Sequence, residues 1–411
     1  MKKIIVIAAF LGLIQTGQAQ TKKAVFIIID GVSKDVLEKV PTPNLHAIAK
    51  EGGLISAYQG GERGGYNQTP TISAPGYNNV LTGVWFNKHN VPDNAIKAPN
   101  YNYPTIFRLF ENQYPEKQTA VFSSWQDNRT KLIGEGLAAT GNIKLDYYFD
   151  GLELDTQKYP HDSERKFMSA IDQAVTDEAA GYISKNGPDL SWVYLEFTDD
   201  MGHMYGDGEK YNDAVRLADR RIGQIWEAAK HRMKEKNEDW LIIVTTDHGR
   251  DAKTGKGHGG QSDRERASWI VTNARLNNYA VSSPGQTSVV DIVPTIARFL
   301  KIDLSADQLK EIDGIPLTGK VSLTNPSAVK TDGKIGLTWA ANDKEGKVKI
   351  LLASTNNFKQ TGRQENYKLV GEVPVTDGKF SIDLSKETSS DFYKVVLEGK
   401  YNTVNRWISN K

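Results

Sequence analysis

Five short apolar runs, Ala24–Ile29, Ala120–Ser123, Trp192–Phe197, Trp240–Thr245 and Trp269–Val271, constrain this chain more than any other feature. The first is unbroken and rich in β-branched side chains, the mark of a strand buried on both faces. Helical patterns separate the runs. Thr42 is placed to cap a helix with Pro43 in its first position, and Tyr211, Ala214, Ala218, Ile222, Ile225 and Ala229 recur at helical spacing. Strands alternating with amphipathic helices predict an α/β sandwich around a mainly parallel sheet. In such sheets functional groups collect at the carboxyl ends of the strands. Asp30, Asp199 and the pair Asp247-His248 all fall there.

The pattern changes after the helix Val293–Leu300 and the turn Asp313-Gly314-Ile315-Pro316. From about residue 321, apolar side chains recur at every second position: Ile335/Leu337/Trp339, Val348/Ile350/Leu352, Phe380/Ile382/Leu384 and Tyr393/Val395/Leu397. Asp377-Gly378 reads as a hairpin turn between two of these runs, and Leu323–Asp332 as a polar linker. The expectation is an α/β unit over residues 20–320, followed by a small all-β sandwich of immunoglobulin or fibronectin type over residues 333–411. The tail clusters no histidines or acids. It reads as a packing or attachment module, one that could hold a surface partner or a glycan.

Residues 1–19 read as an export signal. Lys2 and Lys3 precede the apolar run Ile4–Ile14, and Gly17-Gln18-Ala19 offers the small side chains a signal peptidase accepts. That run falls short of the roughly 20 residues needed to span a bilayer. The expectation is therefore a periplasmic or secreted protein with no membrane anchor. With no cysteine, the chain has no disulfide, thiolate metal site or lipobox. Its 51 basic residues balance 50 acidic ones, which speaks against nucleic-acid binding.

Four segments carry chemistry. Thr245-Thr246-Asp247-His248-Gly249 closes a strand with a carboxylate beside an imidazole, a mixed donor set that suits zinc better than calcium or magnesium. Asp199 and His203 form an Asp-x-x-x-His pair, and His258 sits between glycines just after Asp247-His248. Asp30 follows the first strand. Ser73 lies in Thr71-Ile72-Ser73-Ala74-Pro75-Gly76, on a turn before the helix that leads to Leu81-Thr82-Gly83. Each segment alone has an ordinary structural explanation. Together they use three of the seven histidines and fall, in order, at strand ends of one sheet.

These segments resemble the alkaline phosphatase superfamily, most closely its nucleotide pyrophosphatase/phosphodiesterase branch, over about residues 23–320. The resemblance also covers Thr42-Pro43-Asn44-Leu45, Asp291-Ile292-Val293-Pro294 and the stretch from Gly83 to Asn94. It implies two zinc ions, or other divalent metals in their place. One would be held by Asp199, His203 and His258, the other by Asp30, Asp247 and His248 with the Ser73 oxygen beside it. Ser73 would be the nucleophile, forming a phosphoserine. Asn94 and the backbone N–H after Ser73 would steady the phosphoryl oxygens. A cation pair about 4 Å apart clamps the attacking and departing oxygens of an in-line displacement. The implied activity is hydrolysis of a small phosphoester.

The chain departs from the family pattern in ways that bear on substrate. Ser73 stands where the phosphodiesterase branch usually has threonine, and Ala74-Pro75-Gly76 is closer to bacterial monoesterases. Those enzymes add a lysine and an arginine for the dianionic phosphate. Asp127 and Arg129 occupy these positions here, and Asp127 would repel a dianion, so the site leans to diesters or nucleotide pyrophosphates. Gly76-Tyr77 does not fit the sulfatase pattern. Arg129, Tyr77 and Tyr205 are candidate substrate contacts, with Trp85 and Trp125 as further stacking surfaces and Arg264 and Arg266 close after the His258 loop. Two alternatives stay open: a phosphomonoesterase on the same scaffold, and a surface-binding protein whose catalytic half is vestigial.

Overall fold

The computed structural model describes residues 20–282 and 285–409, so the expected export signal lies outside the described residues. A seven-stranded sheet forms from β1 (Thr21–Ile29), β2 (Gly53–Tyr58), β3 (Thr119–Ser123), β4 (Tyr147–Phe149), β5 (Leu190–Leu195), β6 (Glu238–Thr245) and β7 (Ala267–Thr272). Their order across the sheet is β2-β7-β6-β1-β5-β3-β4. The five strands from β6 to β4 run parallel, and β7 and β2 pair antiparallel at one edge. The sheet is mainly parallel, as the unbroken apolar runs implied. β2 and β4 are short and only partly buried, so their sequences lack that signature.

The register positions the chemistry. Ile29 of β1 sits opposite Leu195 of β5, and Ile28 opposite Thr245 of β6. Three central strands therefore end level, and Asp30 and Asp247 leave them side by side. The β5 strand stops two residues before the sequence predicts. Asp199 and His203 instead lie on the helix Phe197–Tyr205, four residues apart and so on one face. Helices Lys166–Asn186 and Glu209–Glu235 pack one side of the sheet through Ile171, Val175, Ile222 and Trp226, all buried. Pro43 opens the helix Pro43–Glu51 after Thr42, as expected. Among the described residues, no helix is long and apolar enough to cross a membrane.

The C-terminal region is all-β. A four-stranded antiparallel sheet has the order β11-β10-β13-β14, from β10 (Lys347–Ala353), β11 (Lys368–Pro374), β13 (Phe392–Glu398) and β14 (Thr403–Ser409). A three-stranded sheet has the order β12-β9-β8, from β8 (Leu323–Thr331), β9 (Lys334–Ala341) and β12 (Lys379–Asp383). Two expectations fail here. Leu323–Asp332 is not a linker: it forms β8, pairing with β9 through its backbone, which polar side chains do not prevent. Asp377-Gly378 does reverse the chain, with Gly378 at φ +64°, but β11 and β12 belong to different sheets, so it joins sheets instead of closing a hairpin. Buried charges tie the two regions together. Lys88 donates to the Glu311 carbonyl at 2.6 Å, to Asp313 at 2.6 Å and to Asn405 at 2.9 Å, and Lys394 pairs with Glu311 and, at 3.2 Å, with Glu365.

Candidate metal centre and nucleophile cleft

Three buried atoms converge where β1 and β6 end. The Nε2 atom of His248 lies 3.4 Å from Asp30 Oδ1 and 3.2 Å from Asp247 Oδ2. None of the three has a hydrogen-bond partner, although Asp30 is 2% exposed and Asp247 and His248 are 0% exposed. Buried polar atoms are rarely left unpaired, because each loses its water without compensation. Every other polar atom of the trio is engaged. Asp30 Oδ2 accepts from the hydroxyl of Tyr194 at 2.7 Å and from that of Tyr77, while Asp247 Oδ1 accepts from the Gly31 N–H at 3.1 Å. His248 Nδ1 donates to the Gly249 carbonyl at 2.9 Å, which leaves Nε2 as a bare lone pair aimed at two carboxylate oxygens. That donor set fits a divalent cation.

The electrostatics agree. Burial, and then the charges of Asp247 and Asp199, hold the Asp30 carboxyl well above the ordinary range. Burial pushes Asp247 up to about 7 and His248 well down. Adjacent buried carboxylates cannot all ionise without a compensating charge, and a cation supplies it.

A second cluster adjoins the first. His203 Nε2 lies 3.1 Å from Asp199 Oδ2 and 3.1 Å from His258 Nε2, and His258 Nδ1 donates to the Thr71 carbonyl at 3.0 Å. The rings of His248 and His258 stack at 3.8 Å, so the two clusters share a wall. Asp199 stands within ligand reach of both. Burial pushes its carboxyl up, but Arg250, with His203 behind it, draws it below the usual range. The six expected ligand residues lie together, but the grouping differs from the expected one: Asp199, His203 and His258 form one group, and Asp30 and His248 group with Asp199, with Asp247 beside His248.

Ser73 opens the helix Ser73–Thr82, whose positive end favours negative charge at its hydroxyl. The glycine of Ser-Ala-Pro-Gly has a physical reason: a Cβ on Gly76 would meet the Asp247 Cβ at 2.8 Å, so only glycine lets this helix sit against the ligand turn. Ser73, Asp30, Asn94 and Asp199 line a cleft of about 370 Å³ with Trp125. Asn94 Oδ1 accepts from the Ala74 N–H at 2.9 Å. This corrects the expected donor pair, since the N–H after Ser73 is spent on Asn94. It also turns the Asn94 amide nitrogen away from Ala74, free to donate.

The substrate contacts read from sequence fare differently. Tyr77 is 0% exposed and offers no stacking face; its hydroxyl holds Asp30 instead. Arg129 is bound by Asp150 at 2.6 Å and Glu135 at 2.6 Å and does not line the cleft. Tyr205 packs under Lys210 beside a separate groove with Lys166 and Phe197. Trp85 is buried on Tyr58, Arg264 is held by Asp35 and Asp207, and Arg266 by the carbonyls of Gly60 and Gly61. Of these candidates only Trp125 and the buried Tyr77 line the cleft, and Trp125 is the one with an exposed part. A larger cleft of about 910 Å³, where the β-rich region meets the sheet, holds none of the ligand residues.

The far wall of the nucleophile cleft was not legible beforehand. It carries Glu153, His161, Arg165, Phe167, Met168 and Glu196, with His161 and Arg165 flanking the Phe167 ring at 4.2 and 4.6 Å. No motif marks them: Glu153, His161, Arg165, Phe167 and Met168 come from a loop and a helix start far from the ligand segments, and Glu196, three residues before Asp199, belongs to no recognised pattern. We predict that Tyr77→Phe keeps the ring packing but loosens Asp30, raising the rate of metal loss to a chelator roughly 10–100-fold. An unchanged rate would show that the hydroxyl does not set the ligand.

A mainly parallel α/β sheet with acid–imidazole clusters at its strand ends defines an alkaline-phosphatase-type protein. The chain belongs to the type I phosphodiesterase / nucleotide pyrophosphatase family, whose family model matches residues 24–259. It is 24% identical to human ectonucleotide pyrophosphatase/phosphodiesterase family member 5 over 239 residues, 56% of this chain and 46% of that protein. To human family member 7 it is 24% identical over 244 residues, 56% of this chain and 48% of that protein. The chain spans about half the length of the curated relatives it matches. A solved 2-O GAG sulfatase shares the fold at a TM-score of 0.52 and 11% identity, covering 89% of this chain and 86% of the sulfatase.

Proposed function

We propose that this protein is an exported, divalent-metal-dependent phosphodiesterase with Ser73 as its nucleophile. The observation that carries the reading is the trio of unpartnered buried atoms on Asp30, Asp247 and His248, beside the helix end that presents Ser73. Asp30, Asp247 and His248 would hold one ion, and Asp199, His203 and His258 the other. The mixed oxygen and nitrogen donors favour zinc. When bound, the two ions neutralise the attacking and departing oxygens and lower the pKa of the serine hydroxyl. Ser73 Oγ attacks phosphorus as the bond to the leaving alcohol breaks, and water then hydrolyses the phosphoserine. The Asn94 amide donates to a nonbridging oxygen, its orientation fixed by Ala74.

The charge inventory of the cleft favours diesters. Among the described residues lining it, Arg165 is the one lysine or arginine, and it is already paired with Glu196 at 3.2 Å and Asp200 at 2.7 Å. A monoester dianion would meet no unpaired cation beyond the metals, whereas a diester carries one negative charge fewer. Nucleotide pyrophosphates belong to the same class. An α/β catalytic unit over residues 20–320, and a β-rich region that docks a surface partner or glycan, complete the proposal.

The test is turnover of bis-p-nitrophenyl phosphate against p-nitrophenyl phosphate, before and after chelation. The diester should be hydrolysed faster, and chelation should abolish both activities. Strong monoester preference would overturn the diester reading. Activity that survives complete metal removal would overturn the metal-dependent one.

A further inference from the structure

Arg250 is buried at 0% exposure directly after Asp247-His248-Gly249, and none of the chemistry above employs it. Its guanidinium spans three ligand-bearing segments. Nε donates to the Gly31 carbonyl at 3.2 Å, beside Asp30. Nη1 donates to the Lys256 carbonyl at 3.1 Å, two residues before His258. Nη2 donates to the Asp199 main-chain carbonyl at 2.8 Å and to Asp199 Oδ1. Room for it is built into the sequence. A Cβ on Gly202 would lie 2.1 Å from Nε, and one on Gly31 would lie 2.7 Å from Nη2. Two glycines thus open the slot that this side chain fills.

With Oδ1 held by Arg250, the other carboxylate oxygen of Asp199 is the one that faces His203, at 3.1 Å. We propose that Arg250 is a positioning residue that presents Asp199 to the outer cation through Oδ2 alone, while tying the His258 loop to the end of β1. This rests on the two-cation reading above. A lysine retains the charge, but one ammonium cannot reach carbonyls of three separate segments at once. The geometry also ranks the sites: the inner trio is at most 2% exposed, whereas His203 is exposed and a fixed positive charge sits beside Asp199. The outer ion should leave first.

The test is zinc release from the zinc-loaded full chain to pyridylazoresorcinol, for wild type, Arg250→Lys and Arg250→Met. Wild type should release two equivalents in a fast and a slow phase. Both variants should accelerate the fast phase roughly 10–100-fold and leave the slow phase within about twofold, as expected for loss of a partner that orients a ligand. A fast phase unchanged in Arg250→Lys, or slowed in Arg250→Met, would overturn the inference by showing that only charge acts. Equal acceleration of both phases would also overturn it, as general loosening. If Arg250→Met does not fold, Arg250→Lys decides alone. Release of only one equivalent or less from wild type would overturn the two-cation reading and this inference with it.

Discussion

Ser73→Ala should lower turnover of a phosphodiester by roughly 10⁴- to 10⁶-fold, equivalent to about 5–8 kcal/mol of lost transition-state stabilisation. The size follows from the division of labour in the cleft. The ligand residues hold charge in place, but among the groups lining the cleft Ser73 is the one hydroxyl set at a helix N-terminus beside Asp30. Removing its oxygen deletes the atom that forms the new bond to phosphorus. The ligands themselves are untouched, because no hydrogen bond of Asp30, Asp247 or His248 depends on that oxygen. Bound metal and the urea unfolding midpoint should therefore match wild type, and that separates loss of the nucleophile from loss of the site. A variant within tenfold of wild-type turnover would remove Ser73 from the reaction.

Lys394→Met should destabilise the protein by about 3–5 kcal/mol, as expected when one partner of a buried ion network is removed. Lys394 is 0% exposed. Its ammonium pairs with Glu311 and Glu365, and its charge lies 4.9 Å from the centre of the Trp407 ring. Glu311 belongs to the helix Ala306–Glu311 of the α/β region, and Lys394 to β13, so the pair crosses between the two regions. Methionine fills a similar volume but leaves two carboxylates buried without their cation. Adding Glu311→Gln and Glu365→Gln should restore part of the loss, since a neutral network has no charge to strand. Urea unfolding at fixed pH measures both effects. A loss below about 1 kcal/mol in Lys394→Met would show that water reaches the carboxylates and that the network does not bind the regions together.

Asp30 and the pair Asp247-His248 were readable because each sits directly after a strand whose apolar run is unmistakable. Asp30 follows Ile27-Ile28-Ile29, and Asp247-His248 follow Ile242-Ile243-Val244. Strand periodicity fixes where a strand ends, and parallel pairing then places those ends at one edge of the sheet. Side chains that act by long-range contact were not readable. Tyr77 passed for a stacking face, since an aromatic beside a nucleophile looks the same whether its hydroxyl meets Asp30 or solvent. Arg129 passed for a phosphate ligand, since its partners Glu135 and Asp150 become neighbours only when the loop folds. Arg250 passed unnoticed although it adjoins the motif, because three of its four acceptors are main-chain carbonyls, which carry no residue identity, and the fourth, the Asp199 carboxylate, is distant in sequence.

By itself, the amino-acid order determined the layered fold, the β-rich tail and the acidic and histidine side chains that meet near the strand ends, because periodicity and strand termini are local properties of the chain. Only the tertiary structure decided which atoms of those side chains remain bare. The hydrogen bonds of Tyr77, Tyr194, Gly31 and Gly249 occupy every other polar atom of Asp30, Asp247 and His248 and leave one on each unpaired. Those partners lie up to 216 residues away along the chain, and a bare buried atom exists only once they have closed around it.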